Sequence, residues 1–313
     1  MSKKIISVIG ATGAQGGGLA RAILAEPSGQ FALRAVTRNP DRAAARALAA
    51  AGAELVTADL DDVASLERAF AGAHGAFCVT NYWEHLSPDK ELQQARNLAQ
   101  ACTASAVAHV IWSTLEDTRL RVSLADLRMP TLHGRFKVPH FDTKGESNAF
   151  FDRTRTTFLL TAFYWENLIY FGMGPKPNDA GTLSLVLPIA DKKLPCIAAE
   201  DIGKCALGVF KRGAAALGKQ IGIAGEHLTG AEMAAGLARA LERPVTYQGV
   251  PPAVYRSFGF PGADDLGNMF QYKAEFEREY CGARSVAESR ALNPELLTFA
   301  AWLAKYKSKI PLS

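Results

Sequence analysis

The stretch Ile5-Ile6-Ser7-Val8-Ile9-Gly10-Ala11-Thr12-Gly13-Ala14-Gln15-Gly16 lies almost at the start of the chain and decides its fold. An apolar, β-prone run leads into three glycines spaced G-x-x-G-x-x-G, and a helical pattern follows. At such a turn the bare backbone and the helix N-terminus can bind a pyrophosphate, which a Cβ would obstruct. We assign the tight turn to Gly10, the close approach to Gly13 and helix-on-strand packing to Gly16. The alternative is a plain strand-to-helix turn.

Composition and charge exclude several classes of protein. The 313 residues are 48% hydrophobic and 21% charged, which is typical of a globular chain. The net charge of +4 comes from scattered residues with no run of five like charges, so no nucleic-acid-binding stripe is predicted. No apolar run reaches the length of a membrane span, and the start runs straight into a core strand. We expect a cytoplasmic protein whose five widely separated cysteines are reduced.

The end of the second predicted strand bears on the choice of dinucleotide. This strand, Phe31 to Thr37, is followed by Arg38, and Arg42 comes one helical turn later. An arginine at this place accommodates the 2′-phosphate of NADP, whereas an acidic residue would bind an NAD ribose. The pattern favours NADP(H) over NAD(H). Two solvated surface arginines are the alternative.

Polar residues also follow the third and fourth predicted strands. Asp59 comes just past the third strand, where a carboxylate can face an adenine or cap the helix that begins near Val63. Thr80 and Asn81 come just past the fourth. Because ligands of open α/β sheets bind outside the carboxyl ends of the strands, Thr80 and Asn81 are candidates for contacts with the cofactor's ribose and phosphates.

The order of elements predicts the architecture. Strands alternate with helices six times, which is typical of a doubly wound parallel sheet, so we predict an α/β Rossmann domain over residues 1–163. Residues 164–313 read as a smaller, mostly helical substrate or lid region, with a strand at 220–224 that rejoins the sheet. Residues 118–139 form a long irregular connection, and connections of this kind are usually functional lids or disordered.

The usual catalytic pair of short-chain reductases is missing. These enzymes use a Tyr four residues before a Lys that lowers the phenol pKa, but none of the eight tyrosines here has a Lys at that spacing. The chain offers His140 four residues before Lys144. We expect Lys144 to contact the cofactor, while His140 could transfer a proton or could be a packed or capping residue.

Other catalytic patterns fail. Residues 213–219 resemble a P-loop, but Gln220 replaces the magnesium-binding Ser or Thr and a strand follows. Residues 145–149 lack the last glycine of a nucleophile elbow. The sequence also has no clustered Cys and His set for a metal.

Taken together, several blocks resemble the NmrA-like family of atypical short-chain dehydrogenases/reductases. The blocks run nearly end to end and are GATGAQG at 10–16, VTRNP at 36–40, VTNYWE at 79–84, VPHFDTKGE at 138–146, YWENL at 164–168 and FGFPGA at 258–263. The resemblance implies NADP(H) bound across the carboxyl edge of a Rossmann sheet. The redox-sensing members have a shorter loop where this chain has residues 118–139.

The resemblance also assigns site residues and functions. It implies a cofactor site formed by Gly10, Ala11, Thr12, Gly13, Ala14 and Gln15 at the pyrophosphate, Arg38 and Arg42 at the 2′-phosphate, Asp59 and Leu60 near adenine, and Thr80, Asn81, Lys144, Tyr164, Trp165, Glu166 and Asn167 at the ribose and nicotinamide end. The implied function is a sensor of the NADPH/NADP⁺ ratio that regulates a protein partner. The aromatic residues Tyr82, Trp83, Tyr164 and Trp165 favour the alternative, an NADPH-dependent reductase of a small aromatic or quinone-like compound.

Overall fold

A seven-stranded parallel sheet forms the centre of the molecule in the computed structural model, which describes residues 3–178 and 181–312. Along the sheet the order is β11-β6-β5-β4-β1-β2-β3. These strands are β1 (Lys4–Ile9), β2 (Phe31–Thr37), β3 (Glu54–Thr57), β4 (Gly75–Cys78), β5 (His109–Thr114), β6 (Thr156–Leu160) and β11 (Gln220–Gly222). The predicted Rossmann architecture is confirmed, and the strand predicted at 220–224 pairs with β6 in parallel.

Alternating side chains of each strand serve the two faces of the sheet. Phe77 and Ile111 belong to one apolar core, whereas Cys78 and Trp112, the next residues along, belong to the other. Because both faces are covered by helices, these strands are apolar on both sides. The helices are α1 (Ala14–Ala25), α2 (Ala43–Ala50), α3 (Val63–Phe70), α4 (Pro88–Ala104), α5 (Pro139–Ser147), α6 (Asn167–Tyr170), α7 (Ala199–Arg212), α8 (Gly230–Leu241), α9 (Pro252–Arg256), α10 (Ala263–Glu275), α11 (Glu277–Gly282), α12 (Val286–Leu292) and α13 (Phe299–Tyr306).

Helices α1 and α7 are in backbone contact. A Cβ at Gly203 would lie 1.9 Å from the backbone nitrogen of Leu19, and one at Gly18 would lie 2.7 Å from the carbonyl oxygen of Glu200. Only glycine at these two positions allows the helices to pack this closely. The helix that begins at the glycine-rich turn is therefore held by a helix from the second half of the chain.

Two small sheets lie in the second half of the chain. They contain β7 (Phe163–Tyr164), β8 (Lys176–Pro177), β9 (Leu183–Leu187), β10 (Leu194–Ile197), β12 (Glu226–Leu228) and β13 (Val245–Gly249), ordered β12-β10-β7 and β13-β9-β8. The apolar run from Phe158 to Phe163 is typical of one continuous strand, but the chain leaves the main sheet after Leu160. The Thr161 carbonyl accepts a hydrogen bond of 2.6 Å from Nε of the buried Arg284, which replaces the next ladder contact.

The second half is also less purely helical than predicted. Strand β13 lies in a stretch that was expected to be mainly helices, and it pairs with β9 in parallel. Its residues Val245, Thr246 and Tyr247 are β-prone, so the signal was present but short.

The long connection 118–139 is packed against the rest of the molecule. The Lys137 ammonium donates to the carbonyls of Asp126 and Met129, at 2.8 and 2.6 Å. From α10, the Asn268 amide donates to the carbonyls of Pro130 and Lys137. This segment is thus an ordered flap tied to α10, although Leu120 and Leu127 project from it with 85% and 93% of their surface exposed.

All five cysteines are free thiols, as the sequence predicted. Among the described residues, no helix has both the length and the apolar character to cross a membrane.

Candidate functional site

The glycine-rich turn presents bare backbone at the start of α1. Gly10 has φ +64°, a conformation that favours glycine, and Thr12, Gly13 and Ala14 are exposed. The N-cap Gly13 supplies no side-chain cap, and the first turn of α1 contains no acidic residue. Its N–H groups and the helix dipole are therefore available to an anion. A Cβ at Gly16 would lie 2.4 Å from the Gly10 carbonyl oxygen, which explains the glycine there by packing. This turn fits a pyrophosphate.

The two arginines past β2 have different surroundings. The Arg38 guanidinium forms a two-pronged ion pair with the Glu84 carboxylate, one prong at 3.2 Å, with both side chains about half exposed. The hydrogen bonds that Arg38 donates to the Glu84 carboxylate raise the pKa of Arg38. Arg42 is exposed and its side chain has no polar partner among residues 3–178 and 181–312. A phosphate at this edge could bind the unpaired Arg42 side chain directly, but it would compete with the Glu84 carboxylate for Arg38.

The acidic residues that follow β3 have different contacts. Asp62 caps α3, its carboxylate accepting a hydrogen bond of 3.2 Å from the Ser65 backbone. Asp59 stays exposed, and its Oδ1 accepts one local hydrogen bond from the Asp61 backbone. The Leu60 carbonyl accepts from the Asn97 amide at 2.7 Å. Capping of α3 thus belongs to Asp62, and Asp59 is exposed beside Leu60, where a contact with adenine stays a prediction.

Lys144 and Thr80 meet at the carboxyl end of β4. The Lys144 ammonium donates to the Thr80 hydroxyl at 2.7 Å and to the Thr80 carbonyl at 3.2 Å. It also forms an ion pair of 3.0 Å with Glu91 of α4, a carboxylate that is fully buried. The Thr80 hydroxyl donates to the same carboxylate at 2.6 Å. The structure therefore brings the two predicted residues together but adds Glu91, which sequence reasoning missed.

The charge of Glu91 is stabilised by its neighbours. Burial alone would raise the pKa of Glu91, but the Lys144 ammonium, the His85 ring 3.5 Å away and the Thr80 hydroxyl together lower it to about 2. The carboxylate is consequently ionised at neutral pH. The first turn of α4 contains both Asp89 and Glu91, and the sequence does not indicate which of the two carboxylates is buried.

Aromatic rings line the chain as it leaves β4. Asn81 is exposed, and the 3-10 turn Tyr82–Glu84 follows it. The Trp83 ring lies 5.6 Å from Tyr82 and 5.5 Å from Phe171, both edge-on. Phe171 is 43% exposed and Tyr170, at the end of α6, is 71% exposed. An apolar, aromatic surface thus lies beside the polar edge of the sheet.

Tyr164 joins the glycine-rich turn to β5. The Gln15 amide donates to the Tyr164 hydroxyl at 2.6 Å, and the Ser113 hydroxyl donates to the Gln15 carbonyl oxygen at 2.7 Å. Tyr164 is partly exposed. Gln15 and Tyr164 were both predicted site residues, and Ser113 is an addition that the sequence did not single out.

The next two residues differ from the prediction. The Trp165 ring is fully buried against Phe299 and Trp302, away from solvent. The Glu166 carboxylate accepts from the Trp302 ring at 2.9 Å and from the Ala199 backbone at 2.8 Å. These side chains, predicted at the ligand, instead pack the second half of the chain. Asn167, partly buried, begins α6.

A buried pair lies one helical turn before Lys144. His140 Nδ1 is 2.5 Å from Oδ1 of Asp265, and the His140 backbone donates to Oδ2 at 3.2 Å. His140 is 5% and Asp265 4% exposed. Asp265 lies in the first turn of α10, far from His140 in sequence, and no local pattern predicts the pair. No group of three or more metal-ligating side chains occurs within the described residues.

Comparison with known proteins identifies the family of the chain. The NmrA-like family model matches residues 2–303. The chain belongs to the NmrA-like family. An NmrA-like family domain-containing oxidoreductase, lnbB of Aspergillus flavus, is 27% identical over 302 residues, which cover 90% of this chain and 86% of that protein.

Solved structures of other proteins share the fold. The negative transcriptional regulator NmrA, crystallised in complex with NADP, is 24% identical and superposes with a TM-score of 0.75 over 98% of this chain and 94% of that one. The NADPH-dependent quinone oxidoreductase QOR2 of Escherichia coli, in complex with NADPH, is 22% identical with a TM-score of 0.70 over 98% and 100%. The fold thus occurs in a regulator and in a reductase.

Proposed function

We propose that this chain is an NADPH-dependent reductase of a small aromatic or quinone-like compound. The observation that carries the proposal is the aromatic surface of Trp83 and Phe171, with the buried Tyr82 ring packed edge-on against Trp83, beside the sheet edge that carries the bare turn of α1. Partly exposed rings next to a polar edge suit a flat apolar ligand oriented by a few polar groups. When bound, the cofactor would supply a hydride. The names of the curated relatives as oxidoreductases agree with this proposal.

The cofactor site that we propose follows the sheet edge. The turn from Gly10 to Gly16 would hold the pyrophosphate, Arg38 and Arg42 the 2′-phosphate, and Asp59 with Leu60 the adenine end. Asn81, Tyr164 and Asn167 would line the other end, with Thr80 and Lys144 behind it.

The cytoplasmic location and the absence of nucleic-acid binding remain predictions from the sequence.

Calorimetric titration with NADPH, NADP⁺ and NADH tests the cofactor. Arg38→Ala should weaken NADPH binding about 10- to 100-fold, because a hydrogen bond to a charged group contributes roughly 1.5–3 kcal/mol. NADH affinity should not change. Arg46→Ala, which replaces an exposed arginine on α2, is the matched control and should leave both affinities unaltered.

The reductase activity is tested by following NADPH oxidation with panels of quinones, enones and aldehydes. Background rates throughout would refute the reductase proposal.

A second candidate function, the NADP(H) sensor with a regulatory protein partner, rests on the Arg38–Glu84 ion pair. Glu84 lies in the same 3-10 turn as Tyr82 and Trp83. A 2′-phosphate that takes Arg38 would release Glu84 and could shift this turn, which gives the surface a cofactor-dependent shape. A sensor of the ratio also needs different affinities for NADP⁺ and NADPH. Equal affinities, together with the same protease sensitivity in both complexes, would exclude it.

A further inference from the structure

His140 and Asp265 form a pair that the cofactor site described above does not use. Oδ1 of Asp265 meets the ring nitrogen Nδ1 and Oδ2 meets the backbone N–H of the same residue, so the carboxylate fixes both the ring and its helix. Because an ionised carboxylate only accepts hydrogen bonds, Nδ1 carries a proton in this arrangement. The other ring nitrogen, Nε2, is thereby left to interact with a ligand.

The helix that carries His140 lies over the carboxyl ends of two central strands. Four residues on, Lys144 binds Thr80 past β4, and its carbonyl accepts a hydrogen bond of 3.1 Å from Thr114 at the end of β5. Residues four apart share one face of a helix, so His140 lies on the same side as Lys144. Its ring packs 4.7 Å from Trp83, the central ring of the aromatic surface.

Nε2 of His140 remains available. Within the described parts of the chain, this nitrogen has no hydrogen-bond partner. It is also not one of the unpaired polar atoms that are fully buried, so solvent can reach it. Lys144, in contrast, is fully engaged by Thr80 and Glu91. Of these two side chains at the edge, only the imidazole has an uncommitted polar atom.

We propose that His140 is the proton donor of the reduction and that Asp265 is its positioning residue. This inference rests on the proposed reductase function. The Nε2–H of His140 would pass its proton to the oxygen of a substrate carbonyl as a hydride from NADPH reaches the carbon, so that C=O becomes CH–OH and the cofactor leaves as NADP⁺. His140 is then neutral, with Nδ1–H still donating to Asp265, and water returns the proton to Nε2.

The first test is chemical and needs no turnover. Diethyl pyrocarbonate acylates unprotonated imidazole nitrogens, and mass spectrometry reports the modification of each of the six histidines separately. We expect His140 to react in the free protein and to be protected about fivefold or more by NADPH. His133, exposed in the flap and also four residues before a lysine, is the internal control and should react equally with and without NADPH. Because a protonated Nε2 does not react, the labelling is repeated at alkaline pH; a His140 that stays unreactive there, or that NADPH does not protect, would overturn the proposal.

The second test uses the substrate that the panel identifies. His140→Ala should lower kcat about 10²- to 10⁴-fold, the usual contribution of general acid catalysis, with little change in KM or in NADPH affinity. Added imidazole should restore part of the rate, which a packing role of the ring would not explain. Asp265→Asn should lower kcat less and should not respond to imidazole, whereas His133→Gln should behave as wild type.

The outcomes separate the two proposals. A wild-type protein that reduces no substrate refutes the reductase function and this inference with it. An active wild type whose His140→Ala variant keeps its rate, or loses it without recovery in imidazole, refutes only the inference. A folded His140→Ala variant, verified by its circular dichroism and NADPH titration, excludes misfolding as the reason for a lost rate.

Discussion

The two ends of the proposed cofactor edge are built in opposite ways. At the proposed phosphate end, the turn from Gly10 to Gly16 offers exposed backbone, an uncapped helix and no buried charge. At the proposed nicotinamide end, Lys144 and Glu91 form a buried ion pair, and His140 and Asp265 form a second buried pair one helical turn away. The first end depends on glycines that have no side chain, whereas the second depends on charged side chains that pair with each other. We expect substitutions at exposed positions of the first end to act mainly on binding, and the loss of a partner in the buried Lys144–Glu91 pair to act mainly on stability.

The largest expected effect is at Glu91. Glu91→Gln leaves the Lys144 ammonium buried without its counter-charge, and breaking a buried ion pair in this way costs about 3–5 kcal/mol. Urea unfolding at neutral pH measures this loss. Asp89→Asn, in the first turn of the same helix but exposed, is the matched control and should cost no more than about 1 kcal/mol. Similar losses in the two variants would show that the buried pair contributes nothing special.

Acid should act on the same pair. The pKa of Glu91 is lowered from 4.5 to about 2 in the folded protein, so the unfolded chain takes up a proton first as the pH falls. The stabilising contribution of Glu91 is complete above about pH 4.5 and is lost as the pH falls toward 2. Urea unfolding of wild type and Glu91→Gln between pH 6 and pH 3 should therefore converge at the acid end. A constant difference would contradict this assignment.

Two glycines of the phosphate end should separate binding from stability. A Cβ at Gly16 would lie 2.4 and 2.6 Å from the carbonyl oxygens of Gly10 and Ile9, whereas one at Gly13 would lie 3.2 Å from the Gly10 oxygen. Gly16→Ala should cost about 1–3 kcal/mol of stability, because overpacked backbone has to shift. Gly13→Ala should leave the melting temperature almost unchanged and weaken NADPH binding about tenfold or more. Thermal melts with and without NADPH measure both, and equal melting temperatures for the two variants would contradict the packing role of Gly16.

The smallest expected effect is at Glu84. Glu84→Gln removes an exposed partner of Arg38, and such pairs contribute roughly 0–1 kcal/mol to stability. We expect no measurable change in unfolding but an NADPH affinity a few times higher, since the 2′-phosphate no longer competes with a carboxylate. NADH affinity should stay constant. A loss of NADPH affinity in calorimetry would mean that Glu84 orients Arg38 for the phosphate.

The phosphate end could be predicted from sequence because its requirement is local. Glycine spacing and alternation of strand and helix are visible within a short stretch, and they also predicted the Rossmann sheet. The partners of the other end are distant in sequence. Thr80 lies 64 residues from Lys144, and Asp265 lies 125 residues from His140, so only the folded chain brings them together. Trp165 and Glu166 were misplaced for a related reason, because their partners belong to α13 and α7.

The backbone contact between α1 and α7 has a consequence for dissecting the chain. Gly203 lies well beyond residue 163, yet it supports the helix whose first turn carries the glycines. A fragment that ends at residue 163 would expose the apolar face of α1, with Leu19 and Ile23, and would leave β6 without its outer neighbour β11. Dinucleotide binding by the first half alone would then require that half to fold without its cover. We therefore expect the two halves to be one cooperative unit, translated in sequence but completed only when the second half has emerged.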